Sequence, residues 1–295
     1  MLMIHDPRCA DYGSPSHPEE PTRVTHAEEH LRTKFPGWTW KTPRKAVPDE
    51  TLLLAHTQAH LARLEVPRDF DPDTAYFPGI GSHARRSVAA ALDAADHARA
   101  NGQPAFSLMR PPGHHATAHY AMGFCYLNQI AIAALAASRE AGAGKVAVWD
   151  FDAHHGNGTE DILHGRKEFL YCSVHQSPCY PGTGLGDSGN CRNWPILPQT
   201  PRGRHLEALR ASLDAIVSFD PDLVLVSAGF DAYAGDPLTE MTLEPEDFST
   251  LGLWLRQTGL PAAAALEGGY SADLPILIEA FLTGWSAESA QSAKG

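Results

Sequence analysis

The sequence has few cysteines, no long apolar run and no cluster of basic residues. Its cysteines number five, and no two have the C-x-x-C spacing, which argues against a disulfide scaffold or a zinc ribbon and indicates a reducing compartment. No stretch is long and apolar enough to span a bilayer, and the N-terminus lacks the apolar core of a signal peptide. We therefore expect a soluble, cytoplasmic protein that does not act at a membrane.

Basic residues are in the minority, with 23 Lys and Arg against 35 Asp and Glu and a formal net charge of −12. Nucleic-acid binding needs clustered Lys and Arg, so this balance argues against it and is only weakly compatible with a cationic substrate. Histidine, in contrast, is abundant, with 16 residues. Because histidine is the commonest metal ligand and acid–base group, this number directs attention to a metal or catalytic site.

Short apolar runs alternate with longer segments of helical periodicity along the chain. The predicted strands are Leu2–His5, Ala105–Met109, Lys145–Phe151, Phe169–Val174, Leu223–Ser227 and Ala262–Leu266. The predicted helices are Ser82–Ala100, Tyr126–Ala141, Gly158–Leu163, Arg204–Ser218, Pro245–Thr258 and Ala272–Gly284. Nearly continuous apolar strands are typical of a parallel sheet buried on both faces. We predict one α/β domain over residues 1–285, with a central, mostly parallel β-sheet and helices on both faces, and a flexible tail at residues 286–295.

Unusual polar residues follow nearly every predicted strand. These segments are RPPGHH (Arg110–His115), DFDAHH (Asp150–His155), SVH (Ser173–His175), AGFD (Ala228–Asp231) and EGGY (Glu267–Tyr270). The ligand site of a parallel α/β sheet lies at the carboxyl ends of its strands. We therefore expect these segments, which are far apart in sequence, to meet in one crevice.

Asp150, Asp152 and His154 are spaced by two residues, so their side chains point the same way if the strand continues through them. Two carboxylates and an imidazole on one face repel one another or stay unsatisfied without a cation. With Asp231 from another strand end, Asp152 and His154 would hold one divalent metal and leave a position for water, as in catalytic sites. An isolated D-x-H pattern is more often a structural or helix-capping acid, but the polar segments at the neighbouring strand ends favour the metal.

Three further residues have side chains that suit chemistry beside a metal. The adjacent His114 and His115 fit acid–base work on a metal-bound water, although a lone pair of histidines is more often structural. Tyr270 follows two glycines and could hydrogen-bond a developing oxyanion, or pack as an ordinary aromatic residue. Cys125 is a nucleophile by residue type, but a metal-bound water needs no covalent step. We interpret Cys125 as a small buried packing residue.

Seven segments together resemble the histone deacetylase superfamily, which includes acetylpolyamine amidohydrolases and acetoin-utilisation proteins. They occur in the family's order and are HPEEPTRV (His17–Val24), RPPGHHA (Arg110–Ala116), GFCYLN (Gly123–Asn128), DFDAHHGNGT (Asp150–Thr159), SVHQSPCYPGTG (Ser173–Gly184), SAGFDAYAGDPL (Ser227–Leu238) and LEGGY (Leu266–Tyr270). Asn157 makes the pattern similar to class II, because class I members carry Asp there. The resemblance implies the single-domain arginase–deacetylase-like fold and a zinc-dependent hydrolase that removes acetyl or acyl groups from the ε-amine of lysine in peptides or proteins.

The resemblance also implies two ion sites. Zn²⁺ would be bound by Asp152, His154 and Asp231. A structural K⁺ close to the zinc would share the first two of these residues. Its further ligands would be Asp150, Ser173 and the backbone of Val174.

Catalytic and substrate-binding roles are implied in the same way. His115 would be the general base and then the acid that protonates the leaving amine, and Asn157 would orient it. His114 would be its electrostatic partner, bonded to Asp150, and Tyr270 would stabilise the oxyanion. The residues implied to contact the substrate are Gly123, Phe124 and Tyr180 in the tunnel wall, Leu238 near its mouth and Asp73 at the rim. Arg23 matches an arginine that lies beneath the active site in an internal channel.

Two features bear on the choice of substrate. Polyamine-selective members can carry a Glu at the position of Leu238, where an apolar side chain offers an ammonium group no partner. The segment between Gln58 and Asp73 is short, where members restricted to polyamines often have an insertion. Both features favour acyl-lysine, and an acetylpolyamine or other small acetylated amine is the alternative. A non-catalytic acyl-lysine binder and an arginase-like two-metal hydrolase fit less well, because every catalytic residue is present and no second set of bridging carboxylates is found beside Asp231.

Overall fold

The computed structural model of the chain describes residues 1–14, 16–45, 47–139 and 144–286. Eight strands within these residues form one sheet, and every neighbouring pair in it is parallel. The strands are β1 (Leu2–Ile4), β2 (Thr39–Lys41), β3 (Ala105–Ser107), β4 (Val146–Asp150), β5 (Phe169–Gln176), β6 (Cys191–Ile196), β7 (Leu223–Ala228) and β8 (Ala262–Leu266). Their order across the sheet is β2-β1-β3-β8-β7-β4-β5-β6. The predicted α/β class with a central parallel sheet is confirmed.

The inner strands lie in the core of the molecule. Every residue of β3, β4, β5, β7 and β8 is buried. Since successive side chains of a strand point to opposite faces, this burial means that both faces of the sheet are covered. In the sheet register, Asp150 at the end of β4 lies beside Ser173 of β5 and Ser227 of β7. The polar segments therefore start from neighbouring strand ends.

Helices cover the sheet. Within the described ranges they are α1 (Thr22–Lys34), α2 (Asp49–Leu52), α3 (Gln58–Arg63), α4 (Ile80–Asn101), α5 (Gln129–Arg139), α6 (Asn157–Leu163), α7 (Arg202–Phe219), α8 (Pro245–Gln257) and α9 (Leu274–Trp285), with a 3-10 helix at Pro7–Ala10. Helices α4 and α5 pack on each other and on inner strands, whereas α7 packs on β4, β5 and β6. Helices α1, α8 and α9 form a connected layer. The buried Trp149 of β4 donates to Ser212 of α7 at 2.9 Å, which joins the sheet to this helix.

All six predicted strands and all six predicted helices are present, and their ends agree to within three residues wherever the structure describes them. The prediction omits the two edge strands, β2 and β6, and the helices α1, α2 and α3. Strand β2 has three residues and no buried side chain, and β6 contains Pro195 and alternates buried with exposed residues. Edge strands lack the continuous apolar run of a buried strand and tolerate proline, so they give little signal in a sequence.

The assumption that a strand continues through Asp152 and His154 is wrong. Strand β4 ends at Asp150, and the chain then turns. Asp150 Oδ1 accepts from the Asp152 N–H at 3.2 Å, and Asp152 Oδ1 accepts from the His154 N–H at 2.9 Å. An Asp side chain that bonds the backbone two residues ahead stabilises a turn. The three side chains therefore meet through consecutive turns, and not through strand alternation.

One predicted helix begins later than expected, and one predicted segment lies almost wholly outside the described residues. The helix predicted from Tyr126 begins at Gln129, because Asn128 Oδ1 accepts from the Ala131 N–H at 2.9 Å and caps it. The predicted tail at residues 286–295 lies outside the described residues, apart from Ser286, which is buried. Across the described ranges, we find no helix with the length and apolarity needed to cross a membrane.

Candidate active site

A cavity of about 480 Å³ opens where the polar segments after the strands converge. All five residues predicted to contact the substrate line it, together with three of the predicted metal and catalytic residues. The lining residues are His17, Pro18, Pro72, Asp73, His115, Gly123, Phe124, His154, Cys179, Tyr180, Leu238 and Tyr270. The structure thus brings into one crevice segments as far apart in sequence as His17 and Tyr270, as the parallel sheet predicts.

The predicted zinc ligands lie together at the inner end of this cavity. One ligand atom from each of Asp152, His154 and Asp231 lies within 4.8 Å of the others. His154 Nδ1 is 2.8 Å from Asp231 Oδ2 and 3.2 Å from Asp152 Oδ1. Burial and the charge of Asp152 raise the pKa of Asp231 to about 7, because the two buried carboxylates lie close together. A divalent cation would remove this repulsion, and two carboxylates with one imidazole are a donor set that suits Zn²⁺.

Backbone groups hold the oxygens of both carboxylates. Asp231 Oδ1 accepts from the Ala153 N–H at 2.8 Å, and Asp152 Oδ2 accepts from the Gly268 N–H at 2.7 Å. A Cβ atom at Gly268 would lie 2.3 Å from Asp231 Oδ2, and one at Gly229 would lie 2.0 Å from Asp152 Oδ2. Only glycine allows the backbone to approach the acids this closely. The ligand cluster is therefore fixed in position by the neighbouring strand ends.

His114 lies behind the cavity and is tied to acids. Its Nδ1 is 3.2 Å from Asp150 Oδ2, which also accepts from the Tyr171 hydroxyl at 3.0 Å, and its Nε2 is 3.8 Å from Asp152 Oδ1. Burial lowers the pKa of His114, but the charges of Asp152 and Asp150 outweigh it and raise this pKa to about 10. The structure therefore supports the predicted contact with Asp150 and favours a charged imidazolium.

His115 faces the cavity and has the opposite character. Its Nδ1 lies 2.8 Å from Asn157 Oδ1, an amide oxygen that can only accept, so Nδ1 carries the proton and Nε2 keeps a lone pair. Burial and the positive charges of His114 and His154 hold the pKa of His115 well below its usual value. Two adjacent histidines with pKa values pushed in opposite directions are a pattern typical of acid–base sites.

Tyr270 completes the inner end of the cavity. Its N–H donates to Asp236 Oδ2 at 2.7 Å, its ring lies 4.7 Å from the Arg23 guanidinium, and it meets Phe124 edge-on at 5.8 Å. Burial raises the pKa of the Tyr270 phenol well above its usual value. The phenol therefore keeps its proton and is available as a hydrogen-bond donor.

Residues 17–282 match the family described as the histone deacetylase domain. The chain belongs to the histone deacetylase family. It is 38% identical to a protein named "Probable deacetylase" from Methanothermobacter thermautotrophicus, over 92% of this chain and 86% of that one. Its fold matches the HD domain of HDA15 with a TM-score of 0.89 and 30% identity, over 98% of this chain and 91% of that one. It also matches an acetylpolyamine aminohydrolase from Burkholderia pseudomallei with a TM-score of 0.86 and 26% identity, over 97% and 99% of the two chains.

Aromatic rings and glycine backbone form part of the wall of this deacetylase-family cavity. Tyr180 meets the His115 ring edge-on at 5.1 Å. A Cβ at Gly123 would lie 2.5 Å from His115 Cδ2, so the glycine backbone itself forms the wall there. At the mouth, Leu238 is 37% exposed, so an apolar surface meets the entering substrate.

Sequence reasoning missed several residues of this deacetylase-family site. His17 received no role, yet its Nε2 lies 3.2 Å from the Asp73 carbonyl and its ring meets Phe124 at 4.6 Å. Its position at the start of the first family segment was the available signal. Tyr171 and Asp236, which bond Asp150 and Tyr270, lie outside the polar strand-end clusters. Asp236 was detectable only as part of the SAGFDAYAGDPL segment.

Three of the five residues predicted to hold potassium lie on the adjacent strands β4 and β5, and the other two, Asp152 and His154, follow β4. Asp150 is paired in register with Ser173, whose Oγ is 2.8 Å from His175 Nδ1, and Val174 follows directly; all of them are buried.

Cys125 is fully buried, and burial raises the pKa of its thiol well above the usual range, which agrees with a packing role.

Proposed function

We propose that this histone deacetylase-family hydrolase is a zinc-dependent deacylase that cleaves the ε-amide of acyl-lysine in peptides or proteins. The observation that supports this most strongly is the contrast between His114 and His115. One imidazole is paired with a carboxylate and the other with an amide oxygen, and both lie beside a three-ligand cluster. Five free cysteines, four of them buried, agree with our prediction that the protein works in a reducing compartment such as the cytoplasm.

Asp152, His154 and Asp231 would hold the zinc ion. When bound, zinc would polarise the scissile carbonyl and lower the pKa of water at the site. We further propose that a structural K⁺ is held by Asp150, Ser173 and Val174 together with Asp152 and His154, because carboxylate, hydroxyl and carbonyl oxygens suit a hard cation.

The residues of the chain divide the work of amide hydrolysis. His115 Nε2 accepts the proton of the attacking water and later delivers a proton to the departing amine, without which an amine leaves poorly. Asn157 keeps the ring in the tautomer that this requires, since its amide oxygen accepts from Nδ1. The charged His114, bonded to Asp150, stabilises negative charge that develops nearby. The Tyr270 phenol donates a hydrogen bond to the carbonyl oxygen as that oxygen becomes negative.

The cavity favours a long, mostly apolar side chain. Gly123, Phe124 and Tyr180 line it, as expected for contact with the methylenes of an acyl-lysine, and Asp73, which also lines it, can accept hydrogen bonds from a substrate backbone. Leu238 at the mouth gives a second ammonium group no partner. The second candidate is an acetylpolyamine or another small acetylated amine, which is favoured by the similarity to the Burkholderia acetylpolyamine aminohydrolase over nearly the full length of both chains.

An acetate-release assay tests the proposal. The zinc-loaded protein is offered acetyl-lysine peptides and acetylated polyamines side by side, with and without a chelator. We expect hydrolysis that is abolished by the chelator, restored by zinc and faster on the peptides. Faster turnover of the polyamines would contradict acyl-lysine as the substrate and would favour the acetylpolyamines. The absence of acetate release from both sets would contradict the proposed activity.

Variants test the assigned roles. His115→Ala and Tyr270→Phe should each reduce kcat by about 10²-fold or more, because each removes a group that acts in the transition state. The matched controls are His26→Ala and Tyr120→Phe, which change exposed side chains of the same types. Near-normal kcat in either site variant would contradict its role.

A further inference from the structure

Glu267 is a fully buried carboxylate that the proposed reaction does not use. It directly follows β8, and its Oε2 accepts from two consecutive backbone amides, those of Gly113 at 2.6 Å and His114 at 3.1 Å. Its Oε1 accepts from Gln129 Nε2 at 3.4 Å. Two of these contacts are with the segment that carries the two histidines, and the third is with the first residue of α5.

The backbone around His114 has close contacts on three sides. The Glu267 carboxylate binds its N–H, and its C=O accepts from the N–H groups of Gly158 and Thr159, at 3.0 and 3.1 Å, near the start of α6. On a third side, a Cβ at Gly113 would lie 2.8 Å from the Gln129 nitrogen. Helix α6 also carries Asn157, so the same frame fixes the residue that orients His115.

The residues that follow Glu267 contact the rest of the site. Its carbonyl accepts from Arg23 at 2.6 Å, and the Gly268 N–H donates to Asp152 Oδ2 at 2.7 Å. Two residues later the chain reaches Tyr270. One short segment therefore connects the histidine backbone, a predicted zinc ligand and the phenol that faces the cavity.

A buried carboxylate is expensive, and an apolar side chain of similar size is often at least as stabilising. Its presence here therefore calls for a reason other than stability. Acid–base groups must be placed to within a fraction of an ångström, and a misplacement of about 1 Å can cost on the order of 10²-fold in rate. The two amides that Glu267 binds are those of Gly113 and His114, the two residues that directly precede His115.

We propose that Glu267 is a positioning residue for the deacylation: its carboxylate fixes the backbone of the His114–His115 pair, and Gln129 orients the carboxylate. This inference rests on the proposed function. Gln129 supports it, because its Nε2 also donates to the Leu266 carbonyl at 3.3 Å, which ties the start of α5 to the end of β8. Its Oε1 has no partner within the described structure, so it is free to accept from a donor placed at residue 267.

Two substitutions separate positioning from simple packing. Glu267→Gln keeps an acceptor oxygen for the two amides, and a turn of the Gln129 side-chain amide would present its Oε1 to the new NH₂. Glu267→Leu keeps the volume but removes the acceptor. We expect the Gln variant to stay within about 3-fold of the parent in kcat, and the Leu variant to lose on the order of 10²-fold in kcat with KM nearly unchanged. If the Leu variant does not fold, Glu267→Asp replaces it, because the shorter side chain cannot reach both amides.

The matched control is Asp247→Leu. Asp247 is also a buried acid that accepts from a backbone amide, that of Glu244 at 2.8 Å, but it caps α8. We expect this control to lower Tm and leave kcat per zinc-loaded molecule unchanged. A Glu267→Leu variant that behaves like this control, with reduced Tm and normal kcat, would show that Glu267 is only a packing residue.

Amide hydrogen exchange gives a readout that needs no activity. The Gly113 and His114 amides should be protected in the parent and in Glu267→Gln, and should exchange faster in Glu267→Leu. Equal protection in all three proteins would overturn the inference, as would equal loss of kcat in the Gln and Leu variants. If the parent protein releases no acetate, the proposed function fails while the exchange experiment still reports on the contact.

Discussion

Replacement of Gly123 by alanine tests whether the cavity wall positions His115. The added Cβ would lie 2.5 Å from His115 Cδ2, 2.8 Å from Cγ and 2.9 Å from Tyr180 Cε1. To restore ordinary contact the imidazole must retreat by about 1 Å, and a displacement of this size in a reacting group costs on the order of 10²-fold in rate. This corresponds to about 2.7 kcal/mol of lost transition-state stabilisation.

The substitution also has a backbone cost that is unrelated to the site. Gly123 has a φ of +56°, a conformation that costs an alanine about 1 kcal/mol or somewhat more. Gly102 supplies the matched control, because its φ is +62° and an added Cβ meets nothing within 4 Å. Both Ala variants should lose similar stability through the backbone, and only Gly123→Ala should also lose activity.

The assay compares kcat/KM on the best acyl-lysine peptide for the parent and both variants, with Tm and zinc content measured on the same samples. We expect kcat/KM to fall about 100-fold in Gly123→Ala and to stay within about 2-fold in Gly102→Ala. If Gly123→Ala keeps more than half of the parent activity, the imidazole tolerates the displacement. If both variants lose activity equally, backbone strain is the cause. Either result would refute the conclusion that the cavity wall at Gly123 positions His115.

Three further predictions concern stability. His205 is buried, and neither of its ring nitrogens has a hydrogen-bond partner among the described residues. Burial lowers its pKa to about 4, so the unfolded chain takes up a proton first as the pH falls below about 6.5. The free energy of unfolding of the parent, measured in urea, should therefore fall by up to about 3 kcal/mol between pH 6.5 and 4. His205→Leu should remove this contribution to the pH dependence. Ser212→Ala, on the same helix, should change the free energy of unfolding equally at every pH. Arg110→Met leaves the buried Glu19 without its main partner and should cost about 3–5 kcal/mol in urea unfolding; a loss below about 1 kcal/mol would contradict the importance of the pair. Chelation should lower Tm and readdition of zinc should restore it, because a bound ion stabilises only the folded chain; an unchanged Tm would argue against a metal among the buried carboxylates.

The parts of the fold that the sequence predicts best are those where burial leaves a simple pattern. The apolar runs of β4 and β7 identify inner strands. Parallel pairing then places Asp150 and Asp231 at the same end of the sheet, where the strands have their carboxyl ends. The path from Asp150 to His154 was not predictable in the same way, because side-chain bonds to the backbone of the next residues end the strand early.

Supporting contacts between distant segments are the least predictable. The Tyr171 hydroxyl reaches Asp150 only because β4 and β5 pair in one particular register, and a slip by one residue would turn the phenol to the other face. Glu267 carries no local signal that its carboxylate binds amides more than 150 residues away. Such contacts depend on the assembled sheet and not on any pattern within a segment.

The position of β8 has a consequence for how the molecule is made. This strand lies between β3 and β7 near the centre of the sheet, yet of the eight strands in the described residues it is the last to leave the ribosome. Until residues 262–266 emerge, β3 and β7 have no partner on their facing edges, and unpaired edges of buried strands are prone to associate with other chains. The segment that brings Glu267, Gly268 and Tyr270 to the cavity arrives with the same strand. Closure of the sheet and completion of the site are therefore one late event in synthesis, and a chain that ends before β8 should aggregate and should not retain a partly working site.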